Sequence, residues 1–370
     1  MRLLICAGGT GGGVYPAETV LQALGDKAHP VLWVGAQGGM EADLVARFNV
    51  PFTAIPAAGV HGVGLRALPG NVARLVRGFF AASRILRQFK PDAILYTGGY
   101  VAAPVALAGW RVPSLLYVPD IEPGLALKFI SRFAHRIAVT TPDSARYFNR
   151  PVTVTGYPIR PELAGWERHQ ARQHLGLDDQ LPVLLVFGGS KGAQTINLPL
   201  IRALPELLQR YQLVHISGTY TWPQVEQARQ QLPVDLARRY HAFPYLHDDM
   251  GAALASADLV VSRAGASTLG ELPHFGLPAI LIPYPFAWRY QKVNAEYLAA
   301  HGAAVVLEND QIAERLVALI HEILSNPSQL RAMQAAMRSL ASPDAAQRLA
   351  SELASLAGEQ QQVAAAGGEA

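Results

Sequence analysis

Leu3-Leu4-Ile5-Cys6-Ala7-Gly8-Gly9-Thr10-Gly11-Gly12-Gly13 opens the chain, and Leu184-Leu185-Val186-Phe187-Gly188-Gly189-Ser190-Lys191-Gly192 repeats the pattern in its middle. Each is a short apolar run of the kind buried on both faces of a sheet, followed by glycines and then a helix-like stretch. Glycines let the backbone bend tightly and come close to a ligand. The helix start beyond them offers unpaired N–H groups and the positive end of a dipole, which attract anions. Two such units predict two Rossmann-like α/β domains, each a doubly wound parallel sheet, facing across a cleft made for a nucleotide diphosphate and a second substrate.

The chain has 370 residues, half of them hydrophobic, enough for two domains that each bury a core. Its one cysteine, Cys6, excludes a disulfide framework and fits a reducing cytoplasm. At the end of a buried strand it reads as a small core residue rather than a nucleophile. Met1-Arg2 runs straight into strand and glycines, so no secretory signal is expected, and no apolar run predicts a spanning helix. The net charge of +3 is unevenly spread: residues 1–150 carry 15 Lys and Arg against 8 Asp and Glu, and the remainder is acidic. Six basic residues and no acidic one lie from Arg66 to Lys90, which points to an anionic partner or a solvated face. Nucleic acid is the poorest candidate, because stacking aromatics are not interleaved with these charges.

Outward from the first glycine run, strand-like segments follow at Val31–Val34, Phe52–Ile55, Ala93–Thr97, Ser114–Val118, Ile137–Thr140 and Val152–Thr155, with helix-like stretches between several of them. This alternation predicts a parallel sheet covered on both faces. Thr155-Gly156-Tyr157-Pro158-Ile159-Arg160-Pro161 breaks the pattern as an interdomain hinge would. Strands resume at Val183–Phe187, Leu213–Ser217, Arg239–Ala242, Leu259–Ser262, Ala279–Ile282 and Ala304–Leu307; helix is expected from Gln311, and a small, polar, disordered tail over 358–370.

The glycine loops fit neither common nucleotide fingerprint. A dinucleotide motif counted from Gly9 would put Val14 where its last glycine belongs, and the second strand ends Trp33-Val34-Gly35 without an acid for a ribose. A P-loop would end in Gly-Lys-Ser/Thr, which neither loop does. The most specific segment is Ser262-Arg263-Ala264-Gly265-Ala266-Ser267-Thr268-Leu269-Gly270-Glu271, which follows a strand, opens a helix, and has residues small enough for a diphosphate to rest on the helix start. Thr268-x-x-Glu271 also fits a capping box, which would give Glu271 a purely structural task.

Together with Thr97-Gly98-Gly99-Tyr100-Val101, Gly156-Tyr157-Pro158-Ile159-Arg160, Asp248-Asp249-Met250, Gln291 and Asn294, these segments run in one order from Gly8 onward. In that order the chain resembles the GT-B glycosyltransferases of family 28. The resemblance implies inverting transfer of N-acetylglucosamine from UDP-GlcNAc to the 4-hydroxyl of undecaprenyl-diphosphate-linked N-acetylmuramoyl-pentapeptide, converting lipid I to lipid II in peptidoglycan synthesis. It implies no cofactor and no metal, and a peripheral place on the cytoplasmic face of the membrane. Residues 1–157 would form the acceptor- and membrane-facing domain, 158–340 the UDP-sugar domain, and 341–357 a helix returning to the first.

By the same resemblance Glu271 would accept hydrogen bonds from the ribose hydroxyls. Ser190 and the backbone of Ala264, Gly265, Ala266, Ser267 and Thr268, running on into Leu269 and Gly270, would hold the diphosphate. Arg160 would contact the nucleotide, the backbone around Tyr245-Leu246-His247 the uracil, and Gln291 the sugar, with Asn294 nearby. Lys191 stands where relatives often carry glutamine, as an aid to the leaving diphosphate or a solvated lysine. Thr10, Gly11 and Gly12 would reach the donor, and Gly12, Gly13, Gly99 and Tyr100 would face the acceptor diphosphate.

The reaction needs a base near the attacking hydroxyl and stabilisation of the departing diphosphate. Two family groups are missing here: Gly13 replaces a histidine, and Tyr117-Val118-Pro119-Asp120-Ile121-Glu122 replaces a His-Glu-Gln-Asn run. Asp120, at a strand's carboxyl end, becomes the expected base or donor ligand, with Glu122 next; a polar turn is the alternative.

Residues 72–90 predict an amphipathic helix, with Val72, Leu75, Phe79, Leu86 and Phe89 on one arc and Arg74, Arg77, Arg84 and Arg87 opposite. Phe80 falls among the arginines, which suits docking on an anionic membrane surface. Two other functions stay open: the same donor with another lipid acceptor, and a non-catalytic nucleotide-sugar binder.

Overall fold

The computed structural model describes residues 1–8, 11–59, 64, 66, 68–189, 192–246, 248–285 and 290–367, the side chains of 360–367 excepted. The chain divides into two compact units, Met1–Pro158 with Pro343–Ala370, and Ile159–Ser342.

In the first unit β1 (Leu3–Cys6), β2 (Val31–Ala36), β3 (Phe52–Ile55), β4 (Ala93–Tyr96), β5 (Ser114–Val118), β6 (Arg136–Val139) and β7 (Thr153–Val154) form one sheet in the order β3-β2-β1-β4-β5-β6-β7. Every pairing in it is parallel. Side chains alternate across a strand, so each continuous apolar run feeds two cores. Leu3 and Ile5 pack with Val14, Val20, Leu349 and Leu353 on one face. Leu4 and Cys6 pack with Leu86, Val105 and Ile130 on the other. Burial raises the Cys6 thiol pKa well above its ordinary value, and the nearby Glu41 carboxylate adds to the effect, so Cys6 is a core residue.

The last helix, Ala345–Gly367, belongs to this unit, where Arg136 pairs with Glu352 at 2.9 Å. It runs past residue 357 into the stretch expected as a tail, because Ala, Glu and Gln are good helix formers and no glycine pair intervenes before Gly367.

The second unit holds β8 (Val183–Phe187), β9 (Gln212–Ile216), β10 (Tyr240–Phe243), β11 (Leu259–Ser262), β12 (Ala279–Leu281) and β13 (Ala304–Val306) in the order β10-β9-β8-β11-β12-β13, again all parallel. Buried Arg172 ties the Arg168–His174 helix to this sheet. It bonds Asp258 at 2.8 Å, and the other Asp258 contacts are Arg168 and the Val183 amide.

Strand order decides where ligands bind. In each sheet chain order reverses at one place, between β1 and β4 in the first unit and between β8 and β11 in the second. The crevice outside the carboxyl ends of the strands at such a switch point is the usual ligand site of an open α/β sheet. Both glycine runs that opened the sequence reading leave the sheet there.

Candidate active site

In the second unit β8 delivers Gly188-Gly189 and, beside it, β11 delivers Arg263-Ala264-Gly265-Ala266-Ser267. Gly192 closes the first loop at φ +79°, with its α-carbon packed against the Ser217 carbonyl; a Cβ there would lie 2.1 Å from that oxygen. Ser190 and Lys191 lie outside the described residues, as does Thr10 in the first unit.

The helix Thr268–Phe275 starts with Ser267 as its N-cap, and Thr268 is its first residue. The Thr268 hydroxyl donates to the Gly265 carbonyl at 2.6 Å and the Glu271 amide to the Ser267 carbonyl at 2.8 Å, so the capping box that would have occupied Glu271 does not form. Glu271 sits in the first turn instead. Burial raises its pKa to about 7, against the opposing pull of the Arg160 guanidinium and a Ser267 hydrogen bond. Two residues expected at the nucleotide, 111 positions apart, thus meet electrostatically.

Ala264, Ala266, Thr268, Leu269 and Gly270 are buried, so their backbone is what they offer a ligand. Above Gly265 no atom of the described residues lies within 4 Å of where a Cβ would stand. Gln291 lies on the helix Tyr290–Ala300, and its side-chain oxygen accepts from the Tyr284 amide at 2.8 Å. Asn294 is fully buried and donates to the Ala264 carbonyl at 3.1 Å. It thereby holds the β11 loop from behind, near Gln291 on the same helix. Leu246 is half-buried beyond β10, and His247 is outside the described residues.

At the switch point of the first unit the helix Gly11–Leu24 begins beyond β1, with Gly12 and Gly13 in its first turn. Thr97 of the β4 loop donates to the Gly13 carbonyl at 2.6 Å. Gly99, at φ +82°, packs so closely that a Cβ would stand 2.9 Å from the Gly8 carbonyl carbon and oxygen. Tyr100 next to it is exposed.

Two profiles match this arrangement: the glycosyltransferase family 28 N-terminal domain over residues 3–139 and the family 28 C-terminal domain over residues 183–349. A Roseiflexus sp. UDP-N-acetylglucosamine–N-acetylmuramyl-(pentapeptide) pyrophosphoryl-undecaprenol N-acetylglucosamine transferase is 40% identical, covering 95% of this chain and 94% of its own. The chain belongs to glycosyltransferase family 28. The transferase of the same name from Desulforudis audaxviator is 37% identical over 97% of this chain and 99% of its own. The crystal structure of Acinetobacter baumannii MurG superposes with a TM-score of 0.78 at 29% identity, covering 95% of this chain and 99% of that one.

A Cβ at Gly13 would lie 3.3 Å from the Gly8 carbonyl oxygen, a tight approach that favours the smallest residue. Of the two candidate carboxylates, Glu122 is buried and paired with Lys128 at 3.6 Å. Asp120 is only half-buried, just past the carboxyl end of β5.

The basic helix differs from its expected wheel. It spans Leu68–Phe89 and buries Gly78, Ala82 and Leu86, while Val72 is 46% and Phe80 66% exposed. Val72, Leu75, Val76, Phe79 and Phe80 join Leu107 and Phe129 of two neighbouring helices around an apolar groove of about 320 Å³. Small residues at 78 and 82 let the helix seat on a narrow stripe, which turns part of the apolar arc outward. Arg74 and Arg77 also line a pocket with Gln37, Pro56 and Ala57, and Arg77 stands one turn before Phe80 on the helix. Arg84 and Arg87 are exposed on the same helix.

Sequence reasoning missed Val76, Leu107 and Phe129, whose meeting requires three helices to converge. It also missed the frame that Arg263, Asn309 and Thr195 build behind the loops that follow β8, β11 and β12. Only Arg263 had a signal, its place inside the most specific motif.

Proposed function

We infer that the chain transfers N-acetylglucosamine from UDP-N-acetylglucosamine to a lipid-diphosphate-linked N-acetylmuramoyl-pentapeptide, the reaction named for its family relatives. The observation that carries the reading is the meeting of Arg160 and Glu271 at a helix start on the switch point of the second sheet. A carboxylate suits two adjacent ribose hydroxyls, and amides at a helix start suit a diphosphate.

In the proposed step the acceptor 4-hydroxyl oxygen bonds to the sugar C1, the bond from C1 to the diphosphate oxygen breaks, and UDP carries away the electron pair. We assign the hydroxyl proton to Asp120, the more exposed of the two carboxylates. The amides at the start of the Thr268–Phe275 helix face the charge that grows on the leaving group.

The apolar groove supports docking of the first unit on an anionic membrane surface, with exposed Phe80 and Val76 entering the interface and Arg84 and Arg87 meeting headgroups. No described helix is long and apolar enough to cross a membrane; the proposed contact is peripheral, on the cytoplasmic face.

The test offers UDP-N-acetylglucosamine with the peptide-bearing lipid acceptor or with diacylglycerol. Sugar on the first supports the reading. Sugar on diacylglycerol alone moves the chain to another lipid acceptor, and sugar on neither sinks it.

A further inference from the structure

Arg263 is a cation inside an anion-binding segment, which at first sight makes it a phosphate ligand. The geometry gives its two terminal nitrogens other partners. Nη1 donates to the Ile282 carbonyl at 3.0 Å, to the Pro283 carbonyl at 3.3 Å and to Asn309 Oδ1 at 2.9 Å. Nη2 donates to Thr195 Oγ1 at 2.7 Å. The guanidinium also lies 5.4 Å from the centre of the Tyr284 ring, a cation–π distance.

These partners stand beyond four neighbouring strands. Arg263 follows β11, Ile282 and Pro283 follow β12, Asn309 follows β13, and Thr195 is in the first turn of the helix Gln194–Leu207 that follows β8. Asn309 closes the frame by donating its own amide to Pro283 at 2.7 Å. Each donor loop hangs from it. Ala264, adjacent to Arg263, begins the segment that leads to Glu271. Tyr284, adjacent to Pro283, gives its amide to Gln291. Gly192 lies just before the helix that carries Thr195.

We propose that Arg263 is a positioning residue: its guanidinium sets the β8, β11 and β12 loops in one register and holds no phosphate itself. This rests on the donor-site reading above. Losing the fork loosens the whole site, so its ribose end and its phosphate end weaken together. A phosphate ligand would behave differently, because its loss touches only ligands that carry phosphate.

The test compares UDP, titrated calorimetrically, with uridine, titrated by saturation-transfer NMR, on the full chain and on Arg263→Met, Arg263→Lys and Asn309→Ala. Thermal unfolding midpoints verify that each variant is folded. Arg263→Met is expected to weaken UDP and uridine by the same factor, about tenfold. Arg263→Lys should recover part of both losses. Asn309→Ala, which alters only the frame, should weaken both ligands by a smaller common factor. Combined with Arg263→Met it should add less than its own effect, as partners in one network do. A loss confined to UDP in Arg263→Met, or no effect of Asn309→Ala on either ligand, overturns the proposal. If the unmodified chain binds neither ligand, the donor-site reading has failed instead.

Discussion

Donor binding should depend on pH through Glu271. Its carboxyl, raised to about 7 by burial, is roughly half protonated at neutral pH in the free protein. The carboxylate offers both oxygens as acceptors, one for each ribose hydroxyl, whereas protonation turns one of them into a donor. Between pH 8 and pH 6 the ionised fraction falls from about nine-tenths to about one-tenth, so the apparent Kd for UDP-N-acetylglucosamine should rise about tenfold. The sugar nucleotide suits the measurement, since its diphosphate has no proton to lose in this range. Calorimetry in buffers of different ionisation enthalpy should show release of about half a proton at pH 7.

Glu271→Gln should bind the donor at least about tenfold more weakly at pH 8 and give a flat profile. Stability should move the other way. A carboxyl raised in the folded state favours folding at low pH, and that contribution is lost as pH climbs from about 4.5 to about 7. At pH 8 the substitution should therefore stabilise the chain, by at most about 3 kcal/mol and less for residual solvent contact. A flat profile in the unmodified protein, or a slope that survives in Glu271→Gln, refutes this reasoning.

Other consequences are equally direct. Asp120→Asn should lower kcat by about 10²- to 10⁴-fold with donor affinity unchanged, and Glu122→Gln far less, in steady-state assays of sugar transfer. Asp258→Ala leaves the buried Arg172 charge and the Val183 amide without their shared acceptor, and should cost about 3–5 kcal/mol in denaturant unfolding. Phe80→Glu should abolish co-sedimentation with phosphatidylglycerol vesicles while leaving the rate on a short-chain soluble acceptor intact. Gly192→Ala must either distort a backbone at φ +79° or strike the Ser217 carbonyl; it should weaken UDP binding and lower the unfolding midpoint.

Much of this architecture was legible because its signals are local. Runs such as Leu184–Phe187, short, apolar and bounded by glycines, read as buried parallel strands, and a helix start after a glycine loop is suited to an anion. What stayed hidden depends on contacts distant in sequence. The wheel of the Leu68–Phe89 helix predicts an apolar arc correctly, yet burial follows the small residues Gly78 and Ala82, where close approach is possible. Asn294 looks like a polar helix-start residue until the Ala264 carbonyl, thirty positions away, takes its amide. The Thr268 capping box is a valid local pattern that lost to a one-residue shift in where the helix begins.

The central claim is that the second sheet's switch point grips a uridine diphosphate sugar. A crystal structure of the chain soaked with UDP-N-acetylglucosamine tests it most directly. The account predicts the ribose hydroxyls within hydrogen-bond reach of Glu271, Arg160 alongside, and the diphosphate on the amides that open the Thr268–Phe275 helix. A nucleotide found with its ribose away from Glu271, or its phosphates on another helix start, would contradict it.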